Sequence, residues 1–249
     1  MLVKVVAALL RSRHDTMSQA VVLPGFARQF HLYLDRPLPR DVESVVVPPA
    51  LEFALPRRRT QFRSGRYCAM KAIEALDGLC AEPQIGRSVN GAPVWPKGIV
   101  GSITHTDDFA AAAVALTSDA RAVGIDTERI MSDSQARNVG CIVAWPAEVA
   151  HARTAGLSRL EAVTLVFSAK ESIFKCLHPI VACYFDFHDV RIVEVDGPRR
   201  TFTARVVRTL SEAFPAGTML RGSFDVEVLW VHTGIALPPR ISSPCRALA

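Results

Sequence analysis

Asp126 and Glu128 stand two apart in the run VGIDTE, residues 123–128. In an extended strand alternate side chains share a face, so both carboxylates project the same way. Two acids on one side of an otherwise apolar strand are costly unless a positive charge lies between them or the strand end meets water. A hard divalent cation such as Mg2+ satisfies the first condition, because it takes oxygen ligands and combines a few carboxylates with substrate phosphates. Simple exposure satisfies the second. The hexapeptide alone does not choose between them.

The segment FSAKESIFK, residues 167–175, places Glu171 and Lys175 four apart on one helical face. In isolation such a pair is a surface ion pair worth a few tenths of a kcal/mol. Beside an acidic strand, Glu171 becomes a third oxygen ligand and Lys175 a phosphate clamp. Lys170 then stands about 100° around the helix, within reach of a second phosphate oxygen. A third segment, VGSITH at residues 100–105, offers backbone N–H groups, hydroxyls and the His105 imidazole to an anion. A lone histidine next to a strand is otherwise a structural residue.

Two predicted helices position these groups. Residues 57–76 carry Phe62, Ala69, Ile73 and Leu76 at helical spacing, closed by Gly78. The opposite stripe holds Arg59, Arg63 and Arg66, with Arg58 on the flank. Residues 158–177 form the second helix, with Leu160, Val163, Phe167, Phe174 and Leu177 as its buried seam. Strand-like runs fall at 109–116, 121–128, 190–195, 201–207 and 221–230, with a hairpin turn expected at Thr117-Ser118-Asp119 and another turn at Asp196-Gly197-Pro198. The order predicts an α+β fold of two similar halves, each a helix on a small antiparallel sheet. The halves are expected at residues 17–122 and 123–249, after a non-structural extension over 1–16; Met17 offers an alternative start.

A chain of 249 residues, 49% hydrophobic, is long enough to bury a sizeable core. Its formal charge of +5 favours polyanionic partners. Six scattered cysteines without a CxxC pair argue against a zinc site or a disulfide framework and fit a reducing compartment. The N-terminus lacks a signal-peptide pattern and no apolar stretch is long enough to span a bilayer. A soluble, cytoplasmic monomer is the simplest expectation.

In combination, a basic helix, then GSITH, GIDTE and FSAKES with Lys175, resembles the 4′-phosphopantetheinyl transferases, and within them the enterobactin-synthetase-associated branch of the Sfp-like group. The resemblance runs from about Arg57 to the C-terminus and implies a pseudo-twofold fold. It implies transfer of the phosphopantetheine arm of coenzyme A to a serine of an apo acyl or peptidyl carrier protein, with Mg2+, releasing 3′,5′-ADP. By resemblance, Asp126, Glu128 and Glu171 match the metal-site acids, and Lys170 and Lys175 the lysines facing the pyrophosphate. Thr104 and His105 match a stretch touching coenzyme A phosphates. Arg58 and Arg66, with Arg59 as the alternative register, match the basic positions that hold the 3′-phosphate, and Arg87 another cofactor contact. Thr104 replaces the usual serine and keeps its hydroxyl; Ala92 stands where some relatives have a lysine. Glu171 is the expected base toward the serine hydroxyl, directly or through water. Lys175, aided by His105 or Lys170, is expected to stabilise the leaving group. The carrier surface is expected on the loop after the acidic strand, around residues 131–145.

Two other classes compete. A metal-dependent phosphohydrolase would use the same acids with water as nucleophile. A nucleic-acid-binding module would use the arginine stripe, without metal and with steep salt dependence; no zinc finger or aromatic RNA platform accompanies it.

Overall fold

The computed structural model describes residues 22–76, 85–89 and 91–239. The expected extension over 1–16, Met17, Cys80 and Cys245 lie outside the described residues. The fold is α+β, with two antiparallel sheets meeting at one strand.

In the first sheet β1 (Arg28–Tyr33), β5 (Phe109–Leu116) and β4 (Ile99–His105) lie in the order β1-β5-β4. After the one-turn α1 (Pro49–Glu52), helix α2 (Pro56–Glu74) opens with proline at its first position, where no N–H is needed. Cys68, Ala69, Ala72 and Ile73 of α2 pack against Ala110, Ala112 and Val114 of β5. Small side chains on both surfaces allow a close approach. A Cβ on Gly65 would stand 2.8 Å from Ile103, which holds α2 tightly over β4. A two-stranded ribbon, β2 (Gly86–Arg87) and β3 (Pro93–Val94), lies between α2 and β4 in the chain.

The second sheet has the order β6-β10-β9-β8-β7, from β6 (Ala122–Arg129), β7 (Val190–Asp196), β8 (Thr201–Val206), β9 (Met219–Val226) and β10 (Trp230–Leu237). Helix α5 (Arg159–Val181) covers it. A reciprocal cap starts α5: the Glu161 N–H donates to Ser158 Oγ at 3.3 Å, and the Ser158 N–H donates to the Glu161 carboxylate at 2.7 Å.

Strand β6 joins the halves. Val123 and Ile125 turn one way, into a cluster with Val22, Leu23, Ala113 and Ala115. Gly124 turns the other way, where a Cβ would stand 2.0 Å from Ser172 O of α5. Along its edge, the Ile125 N–H donates to Ser102 Oγ (3.0 Å) and the Thr127 N–H to Thr104 Oγ1 (3.2 Å), so hydroxyls of β4 stand in for a strand ladder.

Several expectations are corrected. Residues 117–119 do not join a hairpin: β5 pairs with β1 and β4, while β6 pairs with β10. The run 221–230 is two strands, broken at 227–229. The segment 131–145 is not a loop but contains α3 (Asp133–Val143), with α4 (Pro146–Thr154) following. The buried seam of α5 is Leu165, Ala169, Ile173, Cys176 and Leu177, whereas Leu160, Phe167 and Phe174 are only partly buried. The arginine stripe is not a free face either. Arg66 is buried, Arg63 pairs with Glu43 at 2.6 Å, and Arg59 Nη1 donates to Glu52 O at 3.4 Å.

Candidate active site

Asp126 and Glu128 share the α5-facing side of β6 with Gly124, as their alternate spacing requires. Because Gly124 lets α5 lie directly on the strand, Glu171 and Lys175 come down over the two acids. Lys175 Nζ donates to Asp126 Oδ1 at 2.6 Å, and Thr104 Oγ1 donates to the same oxygen at 3.1 Å. Asp126 is only 3% exposed, and its Oδ2 is buried without a hydrogen-bond partner among the described residues.

The acids feel one another. Burial, then Asp126 and Glu171, push the Glu128 carboxyl up to about 8, against the opposing pull of Lys175. Burial also raises Glu171, with Lys175 opposing and Asp126 adding to the rise. Three neighbouring acids with a single ammonium among them therefore leave an unmet demand for positive charge. An unpartnered buried carboxylate oxygen and hard oxygen donors suit Mg2+. The expected set of metal-ligating acids is thus present as neighbours, but not as a preformed shell. Among the described residues no group of three or more His, Cys, Asp or Glu is spaced to hold a metal ion. Lys175 takes part of the neutralising role on Asp126.

On the other half, His105 Nε2 lies 2.7 Å from Arg58 Nη1. A guanidinium only donates, so Nε2 must accept and the ring is neutral with its proton on Nδ1. Burial, then the charges of Arg58 and Lys175, lower this imidazole to about 4. Two turns along α2, about 12 Å on the axis, Arg66 is 6% exposed and stacks over Phe62 at 5.1 Å. Its Nη1 has no partner among the described residues. Burial and the neighbouring Arg87 lower it to about 10. A buried guanidinium whose Nη1 has no partner among the described residues suits an anion.

The structure therefore brings Asp126, Glu128, Glu171, Lys175, Thr104, His105 and Arg58 together, and sets Arg87 close enough to Arg66 for its charge to act there. It does not bring Lys170 to the phosphate side. Lys170 Nζ is buried and donates to Glu148 Oε2 at 2.9 Å and to Val143 O at 2.8 Å. The expectation that it reaches a phosphate oxygen is corrected: its place on the helix turns it toward α4.

Glu148 itself escaped the sequence reading, although Pro146 at the first position of α4 and an acid two residues on form a helix-start signal. Also missed was a cavity of about 220 Å³ beside Glu171, lined by Phe174, Tyr184, Phe185 and Phe187. Those aromatics lie in and after the end of α5 without a period that marks them.

Comparison with known proteins agrees with this geometry. Residues 48–115 match the family described as the 4′-phosphopantetheinyl transferase N-terminal domain, and residues 122–218 the 4′-phosphopantetheinyl transferase superfamily. The chain is similar to the 4′-phosphopantetheinyl transferase Svp of Streptomyces mobaraensis, with 37% identity over 196 residues and 76% of each chain covered. It is similar to PptT of Mycobacterium tuberculosis, with 33% identity covering 81% of this chain and 86% of the relative. It also resembles enterobactin synthase component D of Escherichia coli strain K12, at 38% identity, over 50% of this chain and 57% of that relative.

Proposed function

The chain belongs to the 4′-phosphopantetheinyl transferase superfamily, and on that footing we propose that it moves the phosphopantetheine arm of coenzyme A onto a serine of an apo acyl or peptidyl carrier protein in a Mg2+-dependent reaction. The observation that carries this reading is the meeting of Asp126, Glu128, Glu171 and Lys175 at the β6–α5 contact, beside the arginines of the other half. In this reading residues 17–122 and 123–249 act as one catalytic unit.

Asp126, Glu128 and Glu171 would hold the cation, which when bound supplies charge neutralisation at the pyrophosphate. Arg66 and Arg87 bind the 3′-phosphate of the nucleotide, because guanidiniums suit bidentate phosphate contact; Arg58, given that role by the resemblance, lies about 12 Å along α2 from Arg66 and is assigned to the diphosphate instead. Arg58 and Thr104 align the diphosphate with the acidic strand. His105, held neutral by the Arg58 donor at its Nε2, lies beside the same anion. Lys175 stabilises the charge that accumulates on departing 3′,5′-ADP, moving from Asp126 toward the phosphate. The cavity beside Glu171, lined by aromatics and also by Lys170 and Asp186, accepts the pantetheine arm.

The carrier's serine oxygen attacks the β-phosphorus of coenzyme A. Its proton passes to Glu171, directly or through water, as the bond to the α-phosphate oxygen breaks. Association with an acidic carrier is aided by the net positive charge.

The test is to incubate the protein with coenzyme A, Mg2+ and apo carriers of the acyl and peptidyl types, and to follow intact carrier mass and 3′,5′-ADP. Carrier mass should rise by one phosphopantetheine, and EDTA should stop the reaction until Mg2+ is restored. Release of 3′,5′-ADP at the same rate without carrier would assign a phosphohydrolase instead.

A further inference from the structure

The ion pair between Lys170 and Glu148 is among the most deeply buried features of the molecule, with side-chain exposures of 1% and 0%. Its bonds reach four elements. Glu148 Oε2 accepts from Lys170 of α5 and from the Trp145 N–H ahead of α4, at 2.6 Å. Glu148 Oε1 accepts from the Ile192 N–H of β7 at 2.7 Å. Lys170 Nζ reaches Val143 O at the end of α3. Lys170 directly precedes Glu171 and lies on the same helix as Lys175.

A helix lying on a strand is free to rotate and slide unless something off the contact line holds it. At the strand contact, Gly124 and the Ser168–Thr233 hydroxyl pair at 2.9 Å fix how near α5 lies to the sheet. Lys170 points about 100° away from Glu171, toward α3 and α4, and its bond to Glu148 supplies the missing constraint. Buried charge pairs are costly relative to apolar packing, and fixing one packing geometry is a use such a pair can have. We propose that Lys170 and Glu148 are positioning residues for phosphopantetheinyl transfer: their pair sets the rotation of α5 that aims Glu171 and Lys175 at Asp126, and Lys170 touches no phosphate. This rests on the function proposed above.

The experiment compares wild type with Lys170→Met, Glu148→Gln and the double variant, reading kcat and KM for coenzyme A in carrier transfer together with calorimetric coenzyme A affinity. Methionine keeps the stem of Lys170, and Glu148→Gln removes the charge while its amide oxygen still accepts from one of the two N–H groups, Trp145 or Ile192; circular dichroism and thermal unfolding establish which variants are folded before their kinetics are compared. Lys170→Met should lower kcat by about 30-fold or more while leaving the coenzyme A KM within about 3-fold. The double variant should recover about 10-fold of that loss, because it no longer buries an unpaired carboxylate. Coenzyme A binding weakened about 10-fold or more in the double variant would overturn the proposal, since it would place Lys170 on the phosphates. Wild-type kcat in Lys170→Met would overturn it equally. A wild-type protein unable to modify any carrier would instead sink the proposed function, so the two failures are distinct.

Discussion

Lys175 Nζ of α5 and Asp126 Oδ1 of β6 meet at 2.6 Å, across 49 residues of chain. The contact is the point where the long helix is registered against the acidic strand, and it leaves Asp126 Oδ2 buried and unpartnered. Asp126→Asn keeps the shape and removes the charge. Turnover in carrier transfer should fall at least about 100-fold, the scale of losing an electrostatic group at the reacting centre. The Mg2+ concentration for half-activity should rise as well. Folding should persist, because Lys175 is partly exposed and free to turn to water. Near-normal turnover would remove Asp126 from the reaction.

Arg66 offers a prediction with two opposite signs. Its guanidinium is buried, unpartnered at Nη1 and repelled by Arg87. In the protein without ligand that arrangement is unfavourable, so Arg66→Met should leave the unliganded protein at least as stable. The same change removes a phosphate contact, so the KM for coenzyme A should rise about 10-fold or more with kcat little altered. Thermal unfolding and steady-state kinetics check both halves. An unchanged KM would give Arg66 another role.

Much of this site was legible because its parts are local. VGIDTE declares a strand with two acids on one face, and the apolar spacing over residues 158–177 marks the motif helix. What was not legible is what depends on partners far away in sequence. The alanine-rich strand β5 reads as a hairpin with the strand that follows, yet its small side chains serve the approach of α2, and it pairs with β1 instead. The segment beyond Trp230 carries polar His232 and Thr233 among its apolar residues and lacks a clean alternation, yet β10 is the strand that pairs with β6. Lys170 was misread for the same reason. Its spacing from Glu171 sets an angle, but only the packing of α4 against α5 decides what lies in that direction.

His232 provides a test of that central strand through pH. Its Nδ1 bonds Thr127 Oγ1 at 3.0 Å, its Nε2 is buried without a hydrogen bond, and His31, Asp126 and Glu227 surround it. Burial, then the charge of His31, lowers it to about 4 from an ordinary 6.5. Below pH 6.5 the unfolded chain takes up a proton that the folded one refuses, so stability falls as pH drops from 6.5 toward 4. Glu128 acts with the opposite sign, since its raised carboxyl favours the folded state as pH falls from about 8. Comparing wild type with His232→Gln cancels that contribution. Between about pH 7.5 and pH 5, measured by urea unfolding, the variant should lose less stability than the wild type, or gain more. An equal pH dependence in both proteins would show that His232 takes up its proton freely in the fold.

Gly124 tests the contact on which the site is built. A Cβ there would meet Ser172 O at 2.0 Å and Cys176 N at 2.7 Å, both backbone atoms of α5 that no rotamer change can clear. Gly124→Ala must therefore lift the helix from the strand. Overpacking of this kind costs about 3 kcal/mol, which in a protein of this size lowers the unfolding midpoint by about 6–12 °C. The same displacement carries Lys175 and Glu171 away from Asp126, so turnover measured well below the midpoint, where the variant is still folded, should fall about 10-fold or more. A midpoint equal to that of the wild type would mean that strand and helix do not touch at Gly124. Loss of stability with full turnover would mean that the helix returns the two side chains to Asp126 by another route.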